Sequence, residues 1–241
     1  MSGLKLAALY GFPPYNLGFC GAQGNLMKKA LLAYLSGEKI SEGKIRKILE
    51  TFKSAFSYYK LIAKCSRIKD PFNEKVVKAY WIGNDLLERV PASSLEEMIT
   101  RDFGRNKKIP SSSKPHHSFH VLVMGAVSGR VVLQGRLLDL CRIAGGKVTK
   151  KEGDSIAGNK AGDKQKEKIM IEYQPLQEKN KKYYLGKAIG SSVFRDRRFT
   201  PKINIGDRVA VHWNHIIEPL NKIDWNNLKK YTRITIDSLN S

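Results

Sequence analysis

The sequence is short of everything that would staple a chain covalently or carry it across a bilayer. Only three cysteines, Cys20, Cys65 and Cys141, occur in 241 residues, too few and too widely spaced for a disulfide framework. The longest apolar runs, such as VLVMGAV at 121–127, fall well below the ~20 residues of a spanning helix. The apolar patch at 6–9, followed by Gly-Phe-Pro-Pro, lacks the h-region and cleavage site of a signal peptide. No membrane span is expected, and the expected setting is the cytoplasm. Ser-His-Asp order, HExxH and the nucleophile elbow are all missing. The pair Glu96-Glu97 is better read as helix capping than as an acid/base pair. No catalytic residue is assigned, and the balance leans away from an enzyme.

Acidic residues are scarce as well: 22 Asp+Glu stand against 43 Lys+Arg, a net charge of +21. That balance favours an anionic partner, and nucleic acid is the first to consider. The excess is uneven, however. Residues 101–150 carry +8 and 151–200 carry +5, thirteen of the 21 units. Part of it lies in a lysine-rich, almost apolar-free stretch at 150–168, the composition of a mobile hairpin tip.

Two halves differ in hydrophobic period. From Ser41 to Arg67 apolar residues recur every three or four positions (Ile45, Ile48, Leu49, Phe52, Phe56, Tyr59, Ile62), the stripe of a buried helical face. Another helix is expected from about Gly24 to Leu35. Asp70-Pro71 reads as a cap and first-turn proline for a helix through Val90. Ser93-Ser94-Leu-Glu96 predicts a capping box for a helix to Phe103. After a polar, proline-bounded stretch come short β-type runs at 119–124, 130–134, 146–150, 168–173, 182–189 and 208–213. The chain closes on a helical pattern from about Trp225 to Ser238. The expected fold class is α+β: an α-helical domain at 1–104, a linker at 105–118, and a small OB-like β-barrel with a C-terminal helix at 119–241.

All five histidines fall in two clusters, His116-His117-Ser-Phe-His120 and His212-Trp-Asn-His215. Neutral imidazole is the commonest ligand of transition metals. On a continuous strand His117 would face away from His116 and His120, so His117 and His120 could share an ion only if the chain turns there. Pairing across clusters with Cys141 as thiolate would give a mixed N/S site. Cys20, set among glycines just before a helix, has the environment of a ligand or nucleophile. The candidate metal set is thus His116, His117, His120, Cys141, His212, His215 and Cys20. Hydrogen-bonded histidines at a domain junction are the competing explanation.

Two resemblances follow from these residues. Cys141-Arg-Ile-Ala-Gly-Gly-Lys-Val148, then Asn204-Ile-Gly-Asp207-Arg-Val-Ala-Val-His212 and Ile216-Ile-Glu-Pro-Leu220, is similar to the small HypC-type hydrogenase-assembly chaperones over roughly the last 100 residues. The resemblance implies an OB-like barrel from about 141, with Cys141 as the carrier thiolate of an iron fragment, His212 beside it, and a hydrogenase subunit or maturation factor as partner. In that family the cysteine is N-terminal, whereas Cys141 is internal. Most of the chain also resembles a prokaryotic family of unknown function, through Tyr10-Gly-Phe-Pro-Pro14, Cys20-Gly21, Ala79-Tyr-Trp-Ile-Gly-Asn84, 115–120 and Val211-His-Trp213. Three readings follow: a metal-handling accessory or assembly protein, with a transition metal or iron fragment of unspecified identity; a basic nucleic-acid-binding barrel; and an enzyme using the histidines as acid/base groups.

Overall fold

Eleven of the 14 residues of the first helix are buried, and both the other helices and the barrel pack against it. The computed structural model describes residues 1–106, 108–125, 131–151 and 165–240; most of the lysine-rich 150–168 stretch and part of the 130–134 run lie outside them. Helix α1 (Gly3–Asn16) begins where the Ser2 hydroxyl accepts from Lys5 N at 3.3 Å. Leu4, Leu6, Ala7, Ala8, Leu9, Tyr10 and Tyr15 are all buried, so it is apolar on every side and sits centrally. α2 (Asn25–Leu35) lies where the sequence places it.

The long stripe at 41–67 is two helices, α3 (Glu42–Glu50) and α4 (Lys53–Cys65). Thr51 Oγ1 donates back to the Ile48 carbonyl at 2.7 Å and the chain turns before Lys53. Asp70 caps a turn, accepting from Phe72 N at 3.0 Å, and Asn73 is the true N-cap of α5 (Glu74–Trp81). After a 3₁₀ turn (Asp85–Arg89), α6 (Ala92–Phe103) starts behind Pro91 and not at the expected Ser-Glu box. The run at 119–124, expected as a strand, is helical: α7 (His117–Phe119) continues as a π turn (His120–Met124). The His116 ring accepts from Ser118 N at 3.2 Å, a capping bond that commits the valine-rich segment to a helix against its β propensity.

α8 (Arg136–Cys141) leads into the β half. Its strands are β1 (Ala144–Lys151), β2 (Lys166–Tyr173), β3 (Leu176–Lys179), β4 (Lys182–Leu185), β5 (Ile189–Asp196), β6 (Arg208–His212) and β7 (His215–Pro219). Five close a barrel in the order β1-β2-β5-β7-β6, and β3-β4 forms a separate hairpin. Within the barrel only β5 and β7 run parallel. Val148, Ile169, Ile171, Val193, Val209, Val211 and Ile216 fill it, one face of each strand as the pleat requires. α9 (Lys222–Asn240) covers the end. The architecture is therefore α+β, a helical N-terminal region followed by an OB-like barrel and a C-terminal helix. Among the described residues no helix is long and apolar enough to cross a membrane.

Helices and barrel share one core, which takes in Leu9, Leu31 and Val77 together with Ala210, Ile217 and Leu228. Tyr10 OH donates to Glu218 Oε1 at 2.7 Å, and Lys78 Nζ pairs with Asp224 Oδ2 at 2.8 Å. Gly83, at φ +96°, lets the Tyr231 ring of α9 lie directly on the backbone; a Cβ there would overlap the ring.

Candidate metal centre

Three donor side chains converge where α7 starts and α8 and β6 end, against α1 and α5. His117, Cys141 and His212 are all buried, and one ligand atom from each lies within 4.8 Å of the other two. Each reaches the point for a local reason. His117 opens the helical segment that His116 caps. Cys141 ends α8 just before the barrel. His212 ends β6, immediately before a two-residue hairpin turn at Trp213-Asn214. Both turn residues have positive φ, +50° and +60°, as a type I′ hairpin demands. A tryptophan in this region is strained, and its ring packs on Phe19 at 4.7 Å.

Hydrogen bonds set the two imidazoles differently. His212 Nδ1 lies 2.8 Å from the Tyr10 carbonyl, which can only accept, so Nδ1 carries the proton. Its Nε2 makes no hydrogen bond of normal geometry. A ring with one nitrogen tied to a carbonyl is the arrangement of a metal-ligating histidine; the Cys141 carbonyl is the ring's other polar neighbour. His117 is bonded at both nitrogens: Nε2 to the Cys141 carbonyl at 2.8 Å and Nδ1 to Tyr80 OH at 3.0 Å. The carbonyl again fixes the proton on Nε2, so Nδ1 accepts from the tyrosine. A turn of the Tyr80 hydroxyl would free that lone pair.

Burial dominates the electrostatics. It lowers His212 to about 4, against the carbonyls of Tyr10 and Cys141, which raise it. Burial also holds His117 well below 6.5, helped by nearby His212 and His120. Both rings are neutral at pH 7, the ligand form. Burial pushes the Cys141 thiol far up, with Cys20 adding to it and the Trp213 indole opposing it. A cation at this point would reverse that shift by stabilising the thiolate. The donor set, two imidazoles and a thiol, suits a borderline-soft ion, and tetrahedral bonds of 2.0–2.3 Å imply donor separations of about 3.3–3.8 Å. The ligands would draw together on binding.

The cluster opens onto a cavity of about 560 Å³. Trp81 packs its ring 4.4 Å from His117 and 5.6 Å from His212. Cys20 and His120 line the cavity too, but neither is in the three-residue group. The chain does turn between His117 and His120, yet their ring centroids remain 6.3 Å apart. His120 packs edge-on to Tyr58 at 5.5 Å. His116 lies against Tyr231 at 5.9 Å, and His215 bonds the Trp213 carbonyl at 2.8 Å beside Phe194. Three of the seven expected residues are thus brought together, and His116 and His215 serve caps and turns.

A family model, described as a family of unknown function, matches residues 1–241. The chain belongs to DUF6390. Neither curated proteins nor solved structures give a significant match to the chain. Two DUF6390 residues that the sequence places in a helix without a role at the site, Tyr80 and Trp81, line the cavity, and the Tyr80 hydroxyl bonds His117 Nδ1. Their signal was the tyrosine and tryptophan within Ala79-Tyr-Trp-Ile-Gly-Asn84.

Proposed function

We propose that the protein handles a transition metal, holding a borderline-soft divalent ion at His117, Cys141 and His212. The observation that carries this reading is the convergence of three buried donors from three separate elements, with His212 oriented by its Nδ1 bond to the Tyr10 carbonyl. Three protein donors leave a tetrahedral ion one open position, and the adjoining cavity is where that position would face.

Titration of metal-free protein with Co(II) tests it. One equivalent is expected to bind with a thiolate-to-cobalt charge-transfer band, lost in Cys141→Ser, and binding itself is lost when His117 and His212 are also replaced. Absence of stoichiometric binding, or binding indifferent to all three changes, ends this reading.

A finer form is assembly of a metal centre in a partner, including nickel–iron hydrogenase maturation, with the barrel docking that partner. The stretches 141–148 and 204–220 and their similarity to HypC-type chaperones support it. Cys141 is only 9% exposed, so delivery requires the α8 end to open. Co-purification with a hydrogenase large subunit, abolished by Cys141→Ser, is the expected result; no complex removes the finer role and leaves metal binding intact.

A further inference from the structure

Two of the three cysteines line one cavity, and the metal reading uses only one of them. Cys20 and Cys141 are both in its wall, whereas Cys65, at the end of α4, is not. Trp213 ties the two together. The residue before Cys20, Phe19, packs its ring on the Trp213 ring at 4.7 Å. The residue before Cys141, Leu140, accepts from Trp213 N at 2.9 Å. Cys141 and Trp213 also share one apolar cluster, and Phe19 packs against it.

The segment that carries Cys20 is anchored on its other side as well. Ala22 N donates to Thr51 Oγ1 at 3.1 Å, and the Gln23 side chain donates to the Cys20 carbonyl at 3.0 Å. Gly18 and Gly21, at φ +84° and +71°, turn the chain before and after it. Cys20 is thereby held at the cavity, close enough to act electrostatically on both Cys141 and Tyr80. It is the more open of the two thiols: Cys20 is half-buried and Cys141 buried.

We propose that Cys20 and Cys141 form a reversible disulfide, and that closing it withdraws Cys141 from the metal centre. The oxidant is a low-molecular-weight disulfide. The Cys20 thiolate attacks one of its sulfurs; that S–S bond breaks, one small thiolate leaves, and a mixed disulfide remains on Cys20. The Cys141 thiolate then attacks the Cys20 sulfur and expels the second small thiolate. Two protein thiols are oxidised, one small disulfide is reduced, and the two protons pass to the small thiolates. A sulfur bonded to Cys20 is no longer the deprotonated thiol that a metal ligand must be. The bond itself does not depend on the metal reading; only its effect on the ion rests on that reading.

Glutathione disulfide, added to the folded, metal-free full chain in a Cys65→Ser background, tests it by intact mass and peptide mapping. The chain should lose two hydrogens, retain no glutathione, and yield peptides linked through residues 20 and 141; dithiothreitol should reverse this. Cys141→Ser should instead trap glutathione on Cys20, and Cys20→Ser should leave Cys141 reduced. Thermal melts check that the reduced variants are folded, and the map of the parent chain decides the matter if one is not. Absence of the 20–141 link, or glutathione retained on the intact pair, would overturn the proposal. In a chain that binds Co(II), the cobalt charge-transfer band should vanish as the link forms, and a band that survives would overturn it too. A link formed in a chain that takes up no Co(II) would leave the disulfide standing while the metal reading fell.

Discussion

The His212 imidazole donates through Nδ1 to the backbone carbonyl of Tyr10, 2.8 Å away and 202 positions earlier in the chain. That one bond decides which nitrogen keeps its proton and fixes how the ring is turned in its buried site. His212→Ala is therefore expected to weaken Co(II) or Zn(II) binding by at least about 100-fold, while the barrel, filled by other side chains, stays folded. Metal affinity by competition with a chelating dye, beside a thermal melt, measures both.

Tyr80→Phe separates ligation from hydrogen bonding. The tyrosine hydroxyl occupies the His117 Nδ1 lone pair at 3.0 Å. Removing it deletes a competing donor, worth about 1 kcal/mol, so metal affinity should rise roughly fivefold. A fall in affinity would mean that the hydroxyl supports the bound state.

Acid should unfold the metal-free protein early. Burial lowers His116 to about 3 and, with the Arg105 charge adding, His120 to about 4; His212 is likewise at about 4. The unfolded chain takes up these protons near pH 6.5, ahead of the folded one. Stability is thus full above about pH 6.5 and declines as pH falls toward about 3–4. Denaturant midpoints at pH 7.5, 6 and 5 should decrease in that order, and a flat profile would contradict the burial of neutral imidazoles.

Gly83→Ala tests the attachment of α9. The position needs both a positive φ and empty space for the Tyr231 ring. Strain of about 1–2 kcal/mol from the backbone and displacement of the ring should together cost about 3 kcal/mol, read as a lower denaturant midpoint. Tyr10→Phe, which removes the 2.7 Å bond to buried Glu218, should cost about 1–3 kcal/mol.

The helical half was the more legible, because the stripes at 24–35, 41–67, 70–90 and 93–103 all became helix. In the β half the runs at 168–173 and 208–213 became strands, while β7 and most of β5 lie outside the expected runs. α1 escaped notice for a physical reason: a helix buried on every side shows no single-face period. The 119–124 run has the composition of a strand, and only the His116 cap and packing against the helices make it helical. At the centre the residue types could be read and their grouping could not. The two histidine clusters look like local units, yet the structure takes one histidine from each and joins them to Cys141. Sequence proximity puts His116 beside His117, while the cap turns their rings to different neighbours.

The Trp213-Asn214 hairpin has a consequence for engineering. A type I′ turn has positive φ at both central residues and favours Asn-Gly or Gly-Gly, so a bulky ring at 213 stands where a smaller residue would relax the backbone. Trp213→Gly should therefore act as a trade: the turn itself loosens its strain while Phe19 loses its stacking neighbour and the cavity loses a wall. Residue 213 thus couples the strain of the turn to the wall of the cavity, so one substitution moves both at once.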